Sequence, residues 1–287
     1  MIDGGGSNGR DGAGRLSVAF SPCPNDTFVF DAWVNGRLVG APAVQVTYAD
    51  VDVTNTAAER GDFDVVKVSY AALPWLVDQY ELLPCGGALG RGCGPLVLTR
   101  GDRDRLDGAT IAVPGERTTA YLLMRLWGQG IDPALIEILP FHQIMPAVRD
   151  GRVDAGLVIH EARFTYPDYG LVELADLGRW WEQDTGLPIP LGAILARRDL
   201  AERTGVTPAL VTKVLRRSVR HAWDHPAESA AYVGAHAQEM DPAVQRRHID
   251  LYVNEYTEDL GSTGYAAVRA LLARAHDAGL TPAVPAV

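Results

Sequence analysis

The sequence predicts an α/β protein folded as two lobes, on three observations. Through the first two hundred residues, apolar runs of strand length alternate with segments of helical period, which is the mark of βαβ units. Beyond residue 200 the strand runs stop and amphipathic helices follow. Two pairs of segments also echo each other: 61–69 against 151–160, each reading Gly-x-apolar-Asp ahead of a strand, and 94–100 against 192–198. The 287 residues, 47% of them hydrophobic, are enough to bury a substantial core and favour two lobes over one.

In chain order, strands are expected over 16–20, 44–49, 65–68, 96–99, 110–113, 137–140, 155–159 and 192–196. The first feeds a stiff turn, Ser21-Pro22-Cys23-Pro24-Asn25-Asp26-Thr27-Phe28. Pro22 and Pro24 fix φ and bias their predecessors away from helix, so Asp26 or Thr27 is expected to cap a helix over 28–35 that stops at Gly36. A polar turn between strand end and helix start is where open α/β sheets place ligands; an ordinary βα connection is the alternative. The strand over 65–68 runs into Lys67-Val68-Ser69, and Ser69 opens the next helix.

The glycine-dense segment 86–94 precedes a strand instead of joining strand to helix, so it fails the context of a dinucleotide loop. Flexible backbone or close approach to a ligand is the better reading. After 110–113, the turn Pro114-Gly115-Glu116-Arg117 leads to Thr118-Thr119 and a helix with apolar Leu122, Leu123, Leu126 and Trp127, closed by Gly130. Thr118 is the strongest N-cap in the chain. The first helical turn there can hold a carboxylate through its N–H groups and the threonine hydroxyls, and plain capping is equally supported. The C-terminal helices start at Thr207-Pro208, Pro226, Asp241-Pro242 and Ser262, the last closed by Gly279.

Composition excludes some functions. A net charge of -10, a pI near 5.1 and no basic run longer than a pair argue against a nucleic-acid surface. No apolar run approaches the ~20 residues that span a bilayer. Cys23, Cys85 and Cys93 lack metal-type spacing and read as reduced thiols, which points to the cytoplasm. Residues 1–14, rich in Gly, Asp and Ser, lack the apolar core of a secretory signal and are expected to form a flexible tail.

Among residues that could carry chemistry, His160 ends an apolar strand and titrates near neutral pH, which suits a general base as well as a structural histidine. Glu161 next to it would point the other way along a strand. His160-Glu161 does not continue into an HExxH zinc motif. Lys67 and Lys213 are the only lysines among 26 basic residues, so Lys67 on an apolar strand is a candidate carboxylate partner or a snorkelling structural residue. Cys23 reads as a small buried hydrophobe. His221 and His225 have i, i+4 spacing, but Pro226 ends that face and no third metal ligand is evident. Trp180-Trp181, Tyr166 and Tyr169 can stack on a flat ligand or pack between lobes.

The turn string Ser21 to Phe28 resembles the signature of the 1,4-dihydroxy-6-naphthoate synthases of the futalosine route of menaquinone biosynthesis. Further similar segments are Lys67-Val68-Ser69-Tyr70-Ala71-Ala72, Gly86 to Gly92 with Gly94-Pro95-Leu96-Val97, Thr118-Thr119-Ala120-Tyr121, Ile159-His160-Glu161-Ala162-Arg163-Phe164-Thr165-Tyr166-Pro167, Thr185 to Arg198, and Tyr252-Val253-Asn254. The resemblance runs in order from residue 16 to about 280. It implies a two-lobed fold like type II periplasmic binding proteins. It also implies a lyase acting on cyclic dehypoxanthinyl futalosine, with a cleft histidine, here His160, as proton acceptor.

No cofactor and no metal is implied. Lys67, Val68, Ser69, Thr118, Thr119, Asn25, Asp26 and Thr27 become the expected substrate-binding residues for a small-molecule carboxylate. If 96–99 and 192–196 cross between lobes, one lobe is 15–105 plus 193–287 and the other is 106–192, with Ser69 and His160 facing each other. The alternatives are the chorismate dehydratase of the same pathway, on a similar fold, and a non-catalytic module that clasps a small anion.

Overall fold

The computed structural model describes residues 14–128, 130–238 and 241–284. The expected tail over 1–14 lies outside them apart from Gly14. The chain opens with β1 (Arg15–Phe20), α1 (Pro24–Val34), β2 (Ala43–Tyr48), α2 (Val51–Glu59) and β3 (Val65–Ser69). A 3-10 helix, Tyr70–Trp75, leads to β4 (Tyr80–Leu82) and β5 (Ala88–Gly90). Next come β6 (Leu96–Thr99), β7 (Ile111–Val113), α3 (Thr119–Trp127), β8 (Ile136–Ile138), α4 (Phe141–Arg149), β9 (Ala155–Val158), α5 (Ala162–Thr165), β10 (Val172–Asp176) and α6 (Leu177–Thr185). After β11 (Ile189–Arg197) the chain is helical: α7 (Leu200–Thr204), α8 (Pro208–Asp224), α9 (Pro226–His236), α10 (Pro242–Tyr252), α11 (Glu255–Glu258) and α12 (Gly261–Asp277).

The strands form two sheets with one topology used twice. The first runs β2-β1-β3-β11-β4, with β5 also on β11; the second, read from its far edge, runs β8-β7-β9-β6-β10. In each, three strands are parallel, and the fourth lies antiparallel beside the third: β11 on β3, and β6 on β9. The sequence echoes fall on these equivalent pairs, β3 with β9 and β6 with β11. β6 hydrogen-bonds inside the second sheet, and residues 189–192 inside the first.

Where the chain first leaves the first sheet, Gly94 meets Gly178: a Cβ on Gly94 would sit 2.1 Å from the Gly178 amide nitrogen. The glycine-dense segment therefore serves backbone-on-backbone packing, and part of it is the strand β5. Other boundaries shift for local reasons. Pro24 occupies the first turn of α1, where its fixed φ is already helical and its missing N–H is no loss, so the helix starts at Pro24 with Cys23 as N-cap; neither Asp26 nor Thr27 caps it. The helix after Thr118 ends against Gly128, ahead of the expected Gly130, and α12 starts at Gly261, one residue before Ser262. Strands β4 and β5 have three residues each, too few to show alternation in the sequence.

One apolar core joins the facing sides of the two sheets through Val66, Val68, Leu123, Leu157 and the fully buried Trp181. Trp181 donates its ring N–H to the Pro188 carbonyl at 3.0 Å, so it packs the core and does not stack on a ligand. A second core beneath the first sheet includes Phe20 stacked on Phe30 at 4.1 Å and the apolar face of α8, Val211, Val214, Leu215 and Val219. Among the described residues, no helix is long and apolar enough to cross a membrane.

Candidate functional site

The C-terminal ends of the equivalent strands β3 and β9 open on one cavity of about 590 Å³, a volume that includes its mouth to solvent. Of the residues expected to form the site, Asn25, Asp26, Lys67, Ser69, Thr118, Thr119 and His160 line it. Val68 and Thr27 do not. Alternation along β3 turns Val68 into the core, and the Thr27 hydroxyl donates to the carbonyls of Cys23 and Pro24 at 3.1 and 3.3 Å. Val51, Ala88, Ile159, Leu191 and Tyr252 supply apolar wall.

His160 follows β9 in the left-handed region, φ 55°, the one non-glycine residue with positive φ among the described residues. Such a backbone costs about 1–3 kcal/mol and persists where the surroundings fix it; His, Asn and Asp tolerate it best. The edge of Phe141 meets the imidazole ring, with centroids 5.4 Å apart. Burial pushes the imidazole pKa down to about 4, the nearby Asp26 carboxylate opposing the fall and the Lys67 ammonium adding to it. The residue as a whole is half-buried and lines the cavity. At that pKa the imidazole is neutral at pH 7, with a lone pair available. The folded pKa lies below the unfolded value near 6.5, so the unfolded chain takes up the proton first, and stability falls as pH drops from about 6.5 towards 4.

Behind His160 lies a buried polar chain built from the Ser21–Phe28 turn. Asp26 receives the Lys67 ammonium and the Asn25 amide (3.0 Å) on Oδ1, and the Ser21 N–H (3.3 Å) and hydroxyl (2.8 Å) on Oδ2. Asp26 and Lys67 are 3% and 5% exposed, so each charge depends on the other. Gly192, opposite Ser69 in the β3–β11 ladder, leaves room for Lys67: a Cβ there would lie 2.8 Å from Cε. Lys67 thus has its carboxylate partner inside the protein.

The hydroxyls that line the cavity are differently committed. Thr118 caps α3 by accepting the Tyr121 N–H at 3.2 Å and donates to the Gly115 carbonyl at 2.7 Å. Thr119 donates to the Leu191 carbonyl at 2.8 Å and accepts the Ala71 N–H at 3.2 Å. Ser69 keeps its proton: Asn55 donates to Ser69 Oγ at 3.2 Å and receives the Ser69 N–H at 2.8 Å. The N–H groups of Thr119 and Ala120 belong to the first turn of α3, where no intrahelical acceptor exists.

Sequence reasoning missed Asn55 and His248. Asn55 carries no local signal, since its role arises only when α2 packs beside β3. His248 lies on the buried face of α10 with Val244, Ile249 and Tyr252, and a histidine within an apolar helical stripe was the available clue. Cys23 Sγ, His160 and Glu161 bring their ligand-type atoms within 4.8 Å of one another, the one such group among the described residues that could hold a metal ion. Burial, then the Glu161 carboxylate, raise the Cys23 thiol well above its usual range, so at neutral pH it is a protonated, inert neighbour of His160. His221 and His225 stack at 4.5 Å, with His221 Nε2 3.1 Å from Glu228, and neither lines the cavity.

Residues 16–277 match the model of a family described as menaquinone biosynthesis. A 1,4-dihydroxy-6-naphthoate synthase of Streptomyces coelicolor is 62% identical over 277 residues, 95% of this chain and 96% of its own. The enzyme of that name from Thermus thermophilus is 48% identical over 94% of this chain and 97% of its own. A crystal structure of an Archaeoglobus fulgidus protein superposes with a TM-score of 0.86 at 34% identity, covering 93% of this chain and 98% of that one. The alkanesulfonate-binding protein of Xanthomonas axonopodis pv. citri shares the fold at 16% identity, with a TM-score of 0.70 and 96% of both chains covered. The architecture is that of periplasmic binding proteins.

Proposed function

The chain belongs to the menaquinone-biosynthesis family, and from that premise we propose that it is a cytoplasmic lyase forming 1,4-dihydroxy-6-naphthoate from cyclic dehypoxanthinyl futalosine, with His160 as the general base. The observation that carries this reading is an imidazole held by a strained turn at the wall of the cavity, its pKa pushed down by burial, with the Asp26–Lys67 ion pair lining the same cavity. We read each sheet with its helices as one lobe, so that the cavity lies between lobes and their contact excludes water.

His160 Nε2 or Nδ1 takes a proton from the substrate carbon. The electron pair left behind forms the new ring double bond as the bond to the sugar-derived fragment breaks; that fragment leaves with the bonding pair and takes up a proton, and the gain in aromaticity supplies much of the driving force. The apolar wall of Val51, Ile159, Leu191 and Tyr252 suits the flat bicyclic ring. Its carboxylate fits the first turn of α3, where the Thr119 and Ala120 N–H groups and the positive helix end favour an anion, and the free Ser69 hydroxyl proton adds a donor.

Mass spectrometry of the purified protein incubated with cyclic dehypoxanthinyl futalosine tests the proposal: the naphthoate should accumulate. Dehydration of chorismate in place of this reaction would make the chain the sister enzyme. Recovery of the precursor unchanged, though bound, would make it an anion-binding module.

Thr118→Val separates capping from binding. Because the hydroxyl is spent on Gly115 and Tyr121, the substitution should lower stability by about 1 kcal/mol in denaturant unfolding and leave KM for the precursor within twofold. A KM rise of tenfold or more would put that hydroxyl on the substrate.

A further inference from the structure

The buried polar chain fixes the proton on His248. Asp26 accepts on both oxygens, so the Asn25 group that faces it at 3.0 Å must be the amide NH₂, which turns Asn25 Oδ1 outward. His248 Nε2 lies 2.9 Å from that Oδ1. An amide oxygen only accepts, so Nε2 carries the proton and Nδ1 carries the lone pair. Lys67, Asp26 and Asn25 thus set the tautomer of a residue on α10. His248 is 1% exposed and lines the cavity, yet its Nδ1, itself buried, has no hydrogen-bond partner among the described residues.

A buried acceptor of that kind is rarely left empty, because the lost hydration is not recovered until a donor arrives. The ring packs against Tyr252 at 4.5 Å and lies 6.3 Å from His160. A ligand group held by Nδ1 therefore sits within one small fragment's length of the proposed base.

We infer that His248 Nδ1 is a hydroxyl-recognising subsite, which accepts a hydrogen bond from the sugar-derived part of the substrate and sets that part beside His160. A carboxylate does not fit there, since a lone pair facing another lone pair repels. A hydroxyl donor does. The subsite thus complements the anion position at α3, and gives the substrate one orientation. This inference rests on the proposed reaction for the identity of the ligand.

Two substitutions divide the ring's functions. Glutamine places its amide NH₂ where Nε2 was, which keeps the bond to Asn25 and removes the acceptor. Asparagine places its carbonyl oxygen where Nδ1 was, which keeps the acceptor and loses the bond to Asn25. His248→Gln should fold with near-native unfolding behaviour and raise KM for cyclic dehypoxanthinyl futalosine about tenfold, the equivalent of one neutral hydrogen bond, with kcat changed less than threefold. His248→Asn should hold KM within threefold.

In His160→Asn protein labelled with ¹⁵N-histidine, the precursor should shift the His248 Nδ1 resonance from that of a bare acceptor towards that of a hydrogen-bonded one. The second measurement stands even where His248→Gln folds poorly. A native protein that turns over the precursor, paired with an unchanged KM in folded His248→Gln or an unmoved Nδ1 resonance at saturation, overturns the subsite alone. A native protein that neither converts nor binds the precursor overturns the proposed reaction, and the assignment of this ligand with it.

Discussion

His160→Asn is expected to lower kcat for the precursor by at least ~10²-fold while substrate affinity stays within about tenfold, since a positioned general base contributes ~10²–10⁴ in rate. Asparagine is the informative replacement. It tolerates the left-handed backbone at φ 55°, so the turn after β9 should survive, whereas a β-branched residue there would add strain of its own. Steady-state kinetics with an unfolding curve as control read the effect. Near-native kcat in the folded variant would remove His160 from the chemistry and leave it as the wall of a binding cleft.

Lys67→Met is expected to have the largest effect on stability. Among the described residues the ammonium is the only cation bonded to the Asp26 carboxylate, and both groups are almost fully buried. Removing one partner of such a pair leaves an uncompensated charge and typically costs about 3–5 kcal/mol. The three hydrogen bonds from Ser21 and Asn25 that remain on Asp26 put the outcome at the lower end of that range. Denaturant unfolding measures it. A second consequence concerns the base: Lys67 helps depress the His160 pKa, so its loss should let the imidazole protonate at higher pH. A stability change under 1 kcal/mol would mean that the pair does not exist in solution.

Much of the fold could be read from the sequence because the signals that set it are local. The alternation of strand and helix and the internal echoes anticipated both sheets, and sheet pairing shows why the echoes exist: β3 and β9 occupy the same place in one repeated topology. The short strands β4 and β5 give no periodic signal, and Pro24 starts α1 ahead of the cap expected at Asp26 or Thr27. At the site, seven of the nine expected residues line one cavity, Val68 and Thr27 excepted, but their partners were not legible. Asp26 read as a cap and is instead the counter-ion of Lys67, a pairing across 41 residues that only the β1–β3 neighbourhood creates. Asn55, which clasps Ser69, and His248, which completes the chain from Asp26, act through tertiary contacts spanning 14 and 223 residues, and no spacing rule reaches that far.

The central claim, a neutral His160 acting as base, is tested most directly by the pH dependence of kcat/KM, which reports the ionisation of the free enzyme. A base with a pKa near 4 stays active throughout the neutral range and loses activity only on the acid side. The account predicts a profile that is flat from about pH 8 to below 6, falls towards an apparent pKa near 4 while the protein is still folded, and loses that limb in the residual activity of His160→Asn. An acid limb centred near 6.5, or one that persists unchanged in His160→Asn, would contradict it.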